Sequence, residues 1–329
     1  MKSLLADASS DNFETISQQS LKVNEDNSRV EIIFLDTAGG QDVSLLSAGS
    51  LARFPNLKLV QSLRAGVDSI NFGDIPEKVT VCGNTGAYSD QIAEHVFGMI
   101  LYFAKNLGLV NQDLSKGDWH PRMSQFLRGR TILILGTGGI GESVARLATA
   151  FGMRTIGVNR GGHAVSNFEQ VSGLERLGEI FGDADVVVIT LPLSVSTFHL
   201  IGETEFRAMK SNCILVNVSR GYVIDEQALY EHLKRTPTFS SGVDVWWHYS
   251  RGSGQKFAQK FPFFELPNFL GTPHDSGFVP ETDEIAYRSA VENIGRYVRN
   301  EPLHGVMNRN DYLGLKELIA RAEIQPKAV

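Results

Sequence analysis

Thr131-Ile-Leu-Ile-Leu135 runs directly into Gly136-Thr-Gly-Gly-Ile-Gly141, and a stretch with Val144, Ala145, Leu147 and Ala148 on one face continues from Glu142 to Phe151. An unbroken apolar run, a glycine cluster and a helical pattern read as strand, turn and helix. Glycine clusters alone mark only turns, but in this setting each glycine has a reason. Gly136 permits the tight turn, Gly138 lets the backbone approach a pyrophosphate, and Gly141 lets helix and strand pack closely. The anion would rest on the amides and the positive end of the helix, which makes Gly136, Gly138, Gly139, Ile140 and Gly141 candidate cofactor-binding residues.

The next apolar run, Thr155–Val158, ends on Asn159 and Arg160. A site for NAD expects an acid about 20 residues beyond the glycines to hold the ribose hydroxyls. A carboxylate would repel a 2′-phosphate, whereas a guanidinium pairs with it. Asn159 and Arg160 therefore predict NADP, with NAD as the alternative; the rival reading leaves Arg160 a solvated strand-end residue.

Working outward, Val30–Asp36, Leu57–Gln61 and Val79–Cys82 form an earlier series of strands, and Val186–Thr190, Ile214–Val218, Gly242–Val245 and Phe269–Gly271 extend the later one. Near-continuous apolar strands separated by helical stretches, among them Asp225–Lys234 and Glu281–Asn300, indicate parallel sheets covered on both faces. A chain of 329 residues is long for one core. The expected fold is α/β, with two doubly wound parallel-sheet domains. Residues 103–279 form a Rossmann domain, inserted into a smaller flavodoxin-like substrate domain built from residues 1–102 and 280–329.

A net charge of -6 and the absence of a basic cluster argue against nucleic acid as a partner. Cys82 and Cys213 each lie in an apolar run, which suits reduced, buried thiols and excludes a disulfide framework. No Cys/His spacing suggests a metal site. No run of about 18 apolar residues is present to span a bilayer, and residues 1–19 have no signal-like apolar core. The expectation is a cytoplasmic protein with no membrane partner.

Downstream, Val216-Asn-Val-Ser-Arg-Gly221, Asp225-Glu226, Ala228-Leu229, Gly242-Val-Asp-Val245 and Thr272-Pro-His274 form an ordered series. Ala65-Gly-Val-Asp68, Asn84-Thr-Gly86, Ala93-Glu-His95 and Gly117-Asp-Trp119 precede it. Together these segments resemble the D-isomer-specific 2-hydroxyacid dehydrogenase family, whose members include glyoxylate, hydroxypyruvate and phosphoglycerate enzymes. The resemblance implies that Arg220 binds the carboxylate and carbonyl of a small 2-keto acid and that His274 exchanges the proton. Those residue types suit the chemistry. Charge develops on the keto oxygen as hydride arrives, and a proton donor and a fixed cation both stabilise it. Histidine donates and accepts near neutral pH, and arginine offers a permanent planar fork to a carboxylate.

The resemblance further implies that Asp244 contacts the nicotinamide amide and that Arg64, Ala65 and Gly66 hold the substrate carboxylate. It sets Pro192, Thr197, Val218 and Gly277 beside the cofactor. Asn84, Glu94 and His95 are landmarks read as structural. A homodimer paired through the segment around Leu101 to Arg130 is implied as well.

One departure stands out. The family's glutamate five residues after the aspartate, which bonds the catalytic histidine, is replaced here by Tyr249. Three residues compete to partner His274: Tyr249 through its hydroxyl, Glu265, or Asp275; alternatively, efficient catalysis is lost. Trp246 and Trp247 either wall the substrate pocket or fill the core. The expected function is NADPH-preferring reduction of a glyoxylate- or hydroxypyruvate-like 2-keto acid to the D-2-hydroxy acid. The rivals are a formate dehydrogenase-like enzyme and a nonenzymatic dinucleotide-sensing scaffold of corepressor type.

Overall fold

Seven segments pair side by side in one all-parallel sheet in the computed structural model, which describes residues 27–35, 43–249, 257 and 259–324. Residues 1–19 and Asp36, both used in the sequence reading, lie outside the described residues. The seven strands are β4 (Thr131–Leu135), β5 (Arg154–Val158), β6 (Gln170–Ser172), β7 (Val186–Ile189), β8 (Ile214–Asn217), β9 (Ser240–Val243) and β10 (Phe269–Gly271). Their order is β10-β9-β8-β7-β4-β5-β6, which reverses direction on either side of β4 as doubly wound sheets do. Leu135 pairs with Val158 on one side and Ile189 on the other. All five residues of β4 are buried, because helices cover both faces of a central parallel strand.

Two segments differ from the sequence reading. The edge strand β6 carries one apolar residue, Val171, in three, too little pattern to announce a strand. Strand β9 occupies Ser240–Val243, two residues earlier than Gly242–Val245, because its register with β8 pairs Ser240 with Ile214 and Val243 with Asn217. Asp244 thus leaves the sheet at its carboxyl end instead of lying within it.

Internal contacts divide the chain into residues up to Tyr88 together with those from Pro280, and a second unit from Ser89 to Val279. The expected crossing near residue 102 therefore moves to Tyr88/Ser89. The reason is the helix Ser89–Ala104, whose Ala93, Val96, Phe97, Met99, Ile100 and Ala104 enter the same core as Ile132, Ile134, Val144 and Ala148. Asp90 at its start accepts hydrogen bonds from Ser143 (2.7 Å) and Arg146 (2.7 Å) on the helix Gly139–Ala150.

In the other unit, β1 (Ile32–Leu35), β2 (Leu59–Ser62) and β3 (Thr80–Cys82) form a parallel sheet in that order. The helix Thr282–Val298 is joined to this sheet by buried Asn293, whose amide donates to Gln61 Oε1 at 2.7 Å. Among the described residues, no helix is long and apolar enough to cross a membrane.

Candidate active site

Six loops at the carboxyl ends of the large sheet's strands carry most of the candidate residues, beginning with the glycine turn after β4. Gly136 has φ +108°, and a Cβ there would meet Thr190 Oγ1 at 2.7 Å. A Cβ on Gly141 would fall 2.0 Å from the Gly136 carbonyl oxygen, so the helix could not approach the turn with any other residue. Nothing lies within 4 Å of a Cβ on Gly138, and Gly138 and Gly139 are exposed. The helix starts on Gly138, which has no side chain to cap its first amides. Steric need at two glycines and room at the third fit a dinucleotide pyrophosphate.

After β5, Asn159 is tied up locally. Its amide donates to Thr137 Oγ1 (3.1 Å) and to the His163 carbonyl (2.8 Å), and its Oδ1 accepts from the His163 amide (3.1 Å). Asn159 thereby links this loop to the glycine turn, and Arg160 beside it is exposed. After β7, Thr197 is 4% exposed and its hydroxyl donates to the Pro192 carbonyl at 2.7 Å while accepting from the Ser194 amide at 2.8 Å. Thr197 shapes that loop from inside, whereas Pro192 faces outward.

The turn after β8 is built by Asn217, which is fully buried. Its amide donates to the Arg220 carbonyl (3.0 Å), and its Oδ1 accepts from both the amide and the hydroxyl of Ser219 (3.0 Å each). Val218 is buried between them, and half-buried Arg220 donates from Nη1 to the Ser219 carbonyl at 2.7 Å. A Cβ on Gly221 would lie 2.4 Å from the Trp246 carbonyl carbon. Glycine after the arginine is thus what lets the segment following β9 pack against this turn.

That segment begins with Asp244, which is fully buried. Its carboxylate accepts from the Thr272 hydroxyl, the Asp275 amide (3.1 Å) and the Ser276 amide (3.2 Å). These donors bracket His274, a histidine at φ +62°, in the left-handed region that costs a side-chain-bearing residue about 1–2 kcal/mol. Buried charge needs such partners, and these three donors all come from the turn after β10. His95, on the helix Ser89–Ala104, places Nε2 3.2 Å from Thr272 Oγ1. One ring nitrogen of His95 and one carboxylate oxygen each of Asp244 and Asp275 lie within 4.8 Å of one another.

Of the three candidate partners, Tyr249 comes beside the histidine: the two rings are 5.4 Å apart at 39°. The Tyr249 oxygen accepts the Trp246 amide at 3.2 Å, so that oxygen is partly committed to its own turn. Asp275 is exposed, with its amide on Asp244; Glu265 is exposed on the one-turn helix Phe263–Glu265. Trp246 and Trp247 are buried, at 6% and 4% exposure, and donate to the Thr272 and Ile224 carbonyls. They hold these turns from within the core. Gly277 is half-buried on the same turn as His274.

In the other unit, Arg64, Ala65 and Gly66 follow the carboxyl end of β2 and are half-buried. The Arg64 guanidinium stands 6.0 Å from the Tyr88 ring centre, a cation–π arrangement and not a fully solvated one. Asn84 is structural: its amide donates to the Leu63 (3.0 Å) and Ala286 (2.8 Å) carbonyls. Sequence reasoning gave no role to Thr272 and Ser276, although Thr272 stood inside the quoted Thr-Pro-His series.

Residues 97–276 match the family described as D-isomer specific 2-hydroxyacid dehydrogenase, NAD binding domain. The chain belongs to this family. Its glycine turn and seven-stranded sheet are those of a nicotinamide-dinucleotide-binding oxidoreductase. Among D-isomer-specific 2-hydroxyacid dehydrogenases, it is 30% identical over 267 residues to the glyoxylate reductase of Korarchaeum cryptofilum, covering 78% of this chain and 77% of that one. It is 28% identical over 310 residues to the D-3-phosphoglycerate dehydrogenase of Methanocaldococcus jannaschii, covering 88% of this chain but 57% of the length of that relative. A D-isomer specific 2-hydroxyacid dehydrogenase from Xanthobacter autotrophicus, solved with NADPH and MES, superposes with a TM-score of 0.76 at 25% identity, over 94% of this chain and 93% of that one.

Proposed function

We propose that this chain reduces a small 2-keto acid of the glyoxylate or hydroxypyruvate kind to the D-2-hydroxy acid, with NADPH preferred over NADH. The observation that carries the reading is positional. The glycine turn, Arg160, Arg220, Asp244 and His274 all follow carboxyl ends of strands in one doubly wound sheet, the edge where such sheets bind ligands. A nicotinamide dinucleotide, held at the glycine turn, would supply the hydride. Arg220 holds the keto acid's carboxylate and faces the charge that develops on its carbonyl oxygen. His274 gives that oxygen its proton. The glyoxylate reductase name of a relative and the NADPH bound by the Xanthobacter protein support the substrate class and the cofactor. Steady-state turnover of glyoxylate and hydroxypyruvate with NADPH and NADH tests the whole reading, and no turnover with either keto acid would remove it.

Cofactor choice has its own test. Arg160→Ala should weaken NADPH binding by about 1.5–3 kcal/mol, the scale of a charge-assisted hydrogen bond, and leave NADH nearly unchanged. Fluorescence titration with both dinucleotides measures this; equal losses would sink the assignment.

The reading includes a homodimer in the cytoplasm. The helix Leu107–Ser115 buries none of its residues, and Trp119, Met123 and Phe126 beyond it are 82%, 97% and 66% exposed. Apolar exposure on this scale marks an association surface. The protein should sediment at twice its 36.2 kDa chain mass, and the double change Trp119→Glu with Met123→Glu should return it to monomer. A wild-type protein that sediments as a monomer at micromolar concentration would exclude this surface.

A further inference from the structure

We propose that His95 is a positioning residue for His274, acting through Thr272 and Asp244. The inference rests on the reading of His274 as the proton donor. It begins with one proton. The Thr272 hydroxyl has a single hydrogen, and it is donated to the Asp244 carboxylate, which can only accept. The 3.2 Å contact between Thr272 Oγ1 and His95 Nε2 must then run the other way, with Nε2–H donating and the hydroxyl oxygen accepting. The hydrogen bonds therefore pass in one direction, from His95 to Thr272 to Asp244, and His95 must carry its proton on Nε2.

The end of this chain is the turn that bears His274. Asp244 receives donors from positions two before, one after and two after the histidine. The intervening residue has a left-handed backbone, which a side-chain-bearing residue adopts only where its surroundings impose it. Thr272 is pinned at a second point, because its carbonyl accepts the Trp246 indole N–H at 2.9 Å. A helix of the second unit's core thus reaches the turn through one imidazole. Without that donor, the hydroxyl is free to turn, Asp244 loses a fixed partner, and the His274 ring loses its defined placement. Displacements of about 1 Å at a reacting group can cost a hundredfold in rate.

Imidazole ¹⁵N NMR of the full-length protein tests the hydrogen-bond direction without any assay. The His95 resonance, assigned by its loss in His95→Gln, should show the Nε2–H form; the Nδ1–H form would overturn the proposal. Kinetics test the consequence. His95→Leu should lower kcat for keto-acid reduction ten- to a hundredfold, with the KM for NADPH changed less than threefold. His95→Gln should restore most of the rate, because its amide nitrogen can donate from nearly the same place. Thr272→Ser should likewise keep the activity that Thr272→Val loses. A His95→Gln enzyme as slow as the His95→Leu enzyme would reduce His95 to a packing residue. Full activity of His95→Leu beside an inactive His274→Ala would overturn this proposal alone. An active His274→Ala enzyme would instead overturn the reading on which it rests.

Discussion

Replacing His274 with alanine is expected to lower kcat for keto-acid reduction by roughly 10²–10⁴, the contribution typical of a positioned general acid. The loss should fall on turnover and not on cofactor binding, because the glycine turn lies after β4 and the histidine after β10, at separate strand ends. Single-turnover measurements at saturating NADPH separate the two. The backbone adds a specific control. His274 sits at φ +62°, so His274→Ala also places a Cβ-bearing residue in the left-handed region, whereas His274→Asn keeps a side chain that tolerates it. Asparagine should therefore match alanine in lost turnover while matching the wild type in thermal stability. If alanine and wild type turn over at similar rates, the proton comes from elsewhere.

The second large effect belongs to Arg220. Arg220→Met should reduce kcat/KM by about 10²–10³, the scale seen when one preorganised donor to a developing oxyanion is removed. Arg220→Lys should fall between methionine and wild type, since it keeps the charge but loses the planar fork that meets a carboxylate at two points. Both kcat and KM should worsen, because the proposed contact exists in the bound substrate and strengthens as charge develops. Neither change should unfold the turn. The three Asn217 hydrogen bonds that shape it reach the Arg220 carbonyl and the Ser219 amide and hydroxyl, so a change at position 220 removes only the single bond from the guanidinium to the Ser219 carbonyl. A lysine variant with wild-type kinetics would show that the fork is not used, and Arg220 would then be only a local charge.

Legibility differed from one candidate to the next for physical reasons. The glycine turn was readable because each glycine answers a steric demand that the strand–turn–helix pattern already states. The structure supplies the atoms: Thr190 against Gly136, and the Gly136 carbonyl against Gly141. Thr197 was less readable. The resemblance sets it beside the cofactor, but only the structure shows its hydroxyl bonded to Pro192 and Ser194 inside its own loop. Asn159 is similar, with its amide shared between the glycine turn and its own loop. The replacement of the family glutamate by Tyr249 was visible in the sequence, but its consequence was not. Only folding shows the phenol ring beside His274 with its oxygen accepting the Trp246 amide.

The sequence by itself determined the parallel sheet, the dinucleotide turn and the family, because these depend on local steric and hydrophobic patterns that recur every few residues. Composition also set the acidic balance, and the ordered motifs singled out Arg220 and His274. Three things were decided only by tertiary structure. The domain crossing moved to Tyr88/Ser89 because the apolar face of the helix Ser89–Ala104 finds its partners in the later strands, and no local pattern states which core a helix will join. Strand β9 ended at Val243 because register is set by the neighbouring strand. The chain from His95 through Thr272 to Asp244 joins residues up to 177 positions apart. A hydrogen bond depends on distance and direction in space, so its partners leave no mark at any spacing along the chain.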